Sequence, residues 1–130
     1  MPLTQVDERA ITNVWAVLDH TATPGTPVEL TAFGFGDNRF DIWVISSTDT
    51  VDHEVWIYIG GNGNANLIGG VKVVASAGFA GVAIADVIAS LLPSTQPFFL
   101  LPNTTTFWWA VEETISSGKI VHMYAQGGQV

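Results

Sequence analysis

Seven short runs rich in β-branched and aromatic residues, at 11–18, 28–35, 40–46, 54–59, 66–74, 105–112 and 119–125, follow one another with turn residues between them. That rhythm admits a small antiparallel sandwich or barrel and little else. The separators Thr23-Pro24-Gly25-Thr26-Pro27, Gly34-Phe35-Gly36-Asp37-Asn38, Gly60-Gly61-Asn62-Gly63-Asn64 and Ser116-Ser117-Gly118 combine residues that reach positive φ with prolines that fix turn entry. One stretch breaks the β rhythm. Ile84, Val87, Ile88, Leu91 and Leu92 recur at helical intervals and Pro93 stops the run, which predicts one short helix around 83–92. The expected fold class is therefore all-β, an antiparallel β-sandwich with a single short helix.

Strand side chains alternate between two faces, so a strand with one wet side should alternate apolar with polar. Several runs here do not. In 54–59, Val55, Ile57 and Ile59 form one apolar face and leave Trp56 and Tyr58 on the other. In 40–46, Phe40, Ile42 and Val44 oppose Trp43 and Ile45, and in 106–110 Trp108 points away from Phe107 and Trp109. A sandwich of this size has one interior, and burying a large side chain is worth about 1.5–3 kcal/mol. Something should therefore cover the second layer. Loops or the 83–92 segment would do so within the chain. An interface centred on Trp43, Trp56, Tyr58 and Trp108 would do so with a partner, and the same rings would also serve as a stacking platform for sugars. If Trp56 and Tyr58 face inward instead, the outward set becomes Val55, Ile57 and Ile59.

At 130 residues, 48% apolar and 12% charged, the chain has material for one core and too little charge for disorder. Residues 11–130 read as one sandwich domain and 1–10 as an N-terminal arm, with Leu3, Val6 and Arg9 as its contact residues. The chain has no cysteine, so disulfides and thiolate metal sites are excluded. Twelve acids against four Lys and Arg give a net charge of −8, which argues against a nucleic-acid partner. No apolar run approaches the roughly 20 residues of a bilayer span, and the first residues lack the layout of a signal peptide. A soluble protein made in a cytoplasm is expected.

The search for chemistry is negative. Asp49-Thr50-Val51-Asp52-His53-Glu54 is the densest group of potential ligands, but it fits no EF-hand and reads as a solvated acidic turn. Asp37 and Asp41 flank Arg39, a pairing across a turn rather than a cation site. His20, His53 and His122 each have an ordinary place at a strand end or within a strand, and no Gly-x-Ser-x-Gly elbow is present. The adjacent Glu112 and Glu113 face opposite ways in a strand, unlike the facing carboxylates of a glycosidase. Gly60-Gly61-Asn62-Gly63-Asn64 lacks the lysine and helix of a phosphate loop. The expectation is no catalytic residue, no metal and no cofactor.

Four segments carry a family resemblance: Gly69 to Gly78, Asp86-Val87-Ile88-Ala89-Ser90-Leu91-Leu92-Pro93, Leu101-Pro102-Asn103-Thr104-Thr105, and Gly118 to Gly128 with its closing Ala125-Gln126-Gly127-Gly128. In them the chain resembles small virion proteins of tailed bacteriophages, chiefly capsid decoration (cement) proteins. The resemblance implies a jelly-roll-like sandwich, a homotrimer that bridges neighbouring major capsid subunits on the capsid surface, and no active site. It equally implies a tail, baseplate or fibre-associated component as an alternative. A carbohydrate-binding module is the alternative outside that class.

Overall fold

The computed structural model describes residues 11–30, 38–75, 83–92, 98–101 and 106–129. Within them the strands are β1 (Ile11–Asp19), β2 (Val28–Leu30), β3 (Asn38–Ser47), β4 (His53–Ile59), β5 (Leu67–Val73), β6 (Ala83–Asp86), β7 (Phe99–Leu101), β8 (Phe107–Val111) and β9 (Ile120–Gln129). A 3-10 turn (Asn64–Asn66) precedes β5, and α1 (Val87–Leu91) follows β6 directly. The arm at 1–10 with Leu3, Val6 and Arg9, and residues 31–35 of the second expected strand, lie outside the described residues.

All pairings are antiparallel and fall into two sheets. One has the order β1-β9-β3-β6, with β7 also on β3, and the other has the order β2-β8-β4-β5. The partners nest: β4 pairs β5, β3 pairs β6, β2 pairs β8 and β1 pairs β9. The chain is thus one long hairpin, bent at the Gly60 turn (φ 85°) and wound so that its arms cross between the sheets. That is the jelly-roll order. The expected all-β sandwich is observed. The two short strands β6 and β7, which share the far edge of β3, were not apparent in the sequence.

A β-bulge decides which aromatics are inside. Phe40 faces Gly127 and Ile42 faces Gln126 on β9, so Asp41 is an extra residue in the register. One extra residue reverses the alternation. Phe40 therefore shares the inner face with Trp43, Ile45 and Ser47, all fully buried, while Ile42 and Val44 turn outward. This corrects the expectation that Phe40, Ile42 and Val44 share a face. From the opposite sheet Val55, Ile57, Val71, Phe107 and Trp109 complete the core. Trp43 meets Phe107 edge-on at 5.3 Å between ring centroids and 68° between planes, a geometry that favours ring quadrupoles.

The predicted helix at 83–92 is shorter than expected. Residues Ala83–Asp86 extend along β3 instead, and the helix begins only after Asp86. The Asp86 carboxylate accepts from the backbone N–H of Ile88 (2.9 Å) and Ala89 (3.2 Å), which satisfies two of the otherwise unpaired first-turn donors. Val87 and Ile88 are buried against the core. Leu91 lies over Gly69, where a Cβ would sit 2.6 Å from its Cδ2, so the missing side chain on β5 gives the helix its seat.

Candidate functional site

The two most exposed large apolar side chains, Ile84 and Trp15, lie on the outer face of the sheet containing β1, while Val28, Leu67 and Ile68 are exposed on strands of the other sheet. Register places Trp15 opposite Tyr124, Tyr124 opposite Val44, and Val44 opposite Asp86. The next row runs Val17, His122, Ser46, Ile84. Trp15 is 65% exposed, Val17 54% and Ile84 71%, although a core would hide side chains of this kind. Ile42 and Ile120 widen the surface. The Trp15 ring leans on Tyr124 (centroids 4.5 Å apart, planes at 53°) and on His122 (5.1 Å, 43°). These neighbours hold it upright on the sheet. Asp19 ends β1 and Asp86 ends β6, and the exposed Asp41 sits beside Ile42 within β3. An outward aromatic anchor within an apolar field is the composition of interface centres.

The residues singled out from the sequence separate. Trp43 is fully buried in the core, placed there by the Asp41 bulge, and Tyr58 is shielded at 3% exposure. The lone chain already covers both, so neither is an exposed interface residue. Trp56 and Trp108 are half-buried on the outer face of the other sheet. Tyr58 stands directly opposite Trp108 and Trp56 opposite Ala110. Trp56 Nε1 donates to Glu54 Oε1 at 3.3 Å, and Trp108 Nε1 is buried with no hydrogen-bond partner among the described residues. Of the expected four, these two remain on an outer surface. Trp15 was missed. The alternation of Trp15 and Val17 with Ala16 and Leu18 was its signal.

The expected solvated turn at 49–54 is instead partly core. Asp49 and His53 are buried and joined at 2.7 Å between Oδ2 and Nε2. The Ser116 and Thr50 backbone N–H groups donate to the same carboxylate at 2.9 Å and 2.7 Å, and Asp49 N donates to Ser47 Oγ at 3.1 Å. Burial pushes the Asp49 carboxyl up, but the hydrogen bonds from His53, Ser116 and Thr50 outweigh it and hold the group well below the usual carboxylate range. A hydrolytic triad needs a hydroxyl on the imidazole nitrogen remote from the carboxylate. Here Ser116 attends the carboxylate, Ser47 Oγ accepts from the Asp49 backbone N–H, and His53 Nδ1 is buried with no hydrogen-bond partner among the described residues. The geometry pins the β3–β4 turn to the segment before β9.

Beside it, Asp52, His53, Glu54, Lys72, Glu112 and Glu113 line an open groove of about 200 Å³. Lys72 Nζ lies 3.5 Å from Asp52 Oδ2, both exposed, and such pairs contribute little. Among the described residues no cluster of three His, Asp or Glu side chains is arranged to hold a metal ion. The expected pairing of Arg39 with Asp37 or Asp41 rests on the Arg39 side chain, which lies outside the described residues.

No protein-family model matches the chain, and no curated protein matches it. Among solved structures it is similar to the cryo-EM structure of the virus-like particle of the giant freshwater prawn Macrobrachium rosenbergii extra small virus. That match has a TM-score of 0.42 at 13% identity, over 98% of this chain and 82% of that one. A likeness this distant does not bear on function.

Proposed function

We propose that this protein is a non-catalytic structural subunit of a virion, a decoration protein of a phage capsid. It is made in the host cytoplasm, associates with copies of itself and seats on major capsid protein at the capsid surface. The observation that carries this reading is the outer face bearing Trp15, Val17, Ile42 and Ile84. Large apolar side chains gathered in the open on one sheet face mark a surface that meets a partner. The resemblance of the second half to decoration proteins supplies the kind of particle and the three-fold form. Strand order is compatible with it, since capsid subunits and lectins alike use the jelly roll, and fold alone chooses neither. Many weak contacts held together on one lattice add through effective concentration.

The test is binding to purified expanded shells lacking the protein, with tails as the comparison. Cosedimentation with shells that is lost in Trp15→Ala supports the reading. Binding to tails alone replaces it with a tail, baseplate or fibre role, and binding to neither overturns it. The exposed Trp15 indole favours one second reading, a saccharide-stacking module. Tryptophan fluorescence titrated with oligosaccharides shifts only under that one.

A further inference from the structure

The edge of β1 away from β9 carries the inference furthest. β1 is nine residues long and pairs with β9 along its whole length. No described residue bonds to its other edge. The row of N–H and C=O groups on that side is a template for another strand.

Sheet edges are usually blunted by shortness, charge, glycine or a bulge. One other edge strand, β5, has both of its ends among the described residues. It has seven residues, but it carries Gly69, Gly70 and the charged Lys72, and its pairing is irregular beside Tyr58. β1 has none of these devices. From Ile11 to Leu18 it contains no charge, glycine or proline, and its outward Trp15 and Val17 are more than half exposed.

We infer that β1 pairs antiparallel with β1 of a second copy about a two-fold axis, joining two sandwiches into one continuous sheet. The inference rests on the assembly reading above and names its contact. Three features select a second copy as the occupant. The edge is self-complementary, because an antiparallel two-fold supplies each strand with the same hydrogen-bonding row it offers. Two chains of net charge −8 repel overall, and the uncharged stretch of β1 up to Leu18 is where their close approach costs least. A basic partner would find nothing there to read. A register centred on Ala16 sets Trp15 against the partner copy's Val17 and Val17 against its Trp15, the aromatic–β-branched pairing that stabilises sheets. It also keeps the two copies' Asp19 side chains apart, each opposite an Asn13 position.

The chain has no cysteine, so introduced thiols report alone. The experiment combines light scattering on wild type and Val17→Lys with oxidative trapping of an equimolar mixture of Trp15→Cys and Val17→Cys proteins. Circular dichroism checks that each variant is folded. A centred pairing brings the two thiols within disulfide range. The expected result is a twofold fall in mass on Val17→Lys, whether the remaining unit is one chain or a three-fold unit, and a trapped heterodimer in the mixture. A mass that Val17→Lys leaves unchanged, with no trapped species, overturns the β1 contact while self-association through other surfaces stands. A wild type that is monomeric at tens of micromolar and on shells overturns both.

Discussion

At the scale of single residues, two tryptophans on the same sheet have opposite fates. Trp43 is sealed against Phe107, whereas Trp15 stands in solvent supported by Tyr124 and His122. Trp43→Ala should therefore cost about 3–5 kcal/mol of unfolding free energy. Trp15→Ala should cost only about 1 kcal/mol, the worth of its ring contacts, while weakening association. Urea unfolding and light scattering on both variants check the contrast. Asp49 gives a second test. Its folded carboxyl lies below the unfolded value of about 3.9, so its stabilisation is complete above that pH and is lost as pH falls toward the folded value. Asp49→Asn should destabilise by about 3 kcal/mol at neutral pH, because it breaks a buried pair. It should also flatten the acid limb of stability below about pH 4. Equal acid limbs in wild type and variant would remove Asp49 as the group responsible.

At the scale of elements, the strands with clear alternation were legible and those set by their neighbours were not. The runs behind β1, β4, β5, β8 and β9 announce themselves through β-branched and aromatic residues between turns. β6 was hidden because Ile84, Val87 and Ile88 satisfy a helical period, yet Ala83–Asp86 gains more by pairing along β3 than by adding a turn to a five-residue helix. The bulge at Asp41 was illegible for another reason. Nothing within 40–46 marks an extra residue, since a bulge is a relation between two strands. That one residue moved Trp43 inward, so the surplus of large apolar side chains was readable while its location was not. The cap on α1 is a local device and should behave as one. Asp86→Ala should cost about 1 kcal/mol, with Asp86→Asn close to neutral, measured by thermal unfolding.

At the scale of the whole molecule, the nested pairing sets an order of construction. Closing a loop costs more entropy the longer it is. The β4–β5 hairpin, with its glycine turn, closes the shortest, and the union of β1 with β9 spans the longest. Pulsed hydrogen exchange during refolding should find amides of β4 and β5 protected first and those of β1 last; protection of β1 ahead of β4 would refute that order. The strand that finishes the sandwich is also one whose outer rim bonds to no described residue. A chain still incomplete would thus have no finished rim to offer, and admission to a growing lattice would act as inspection, passing only subunits that have reached their final shape.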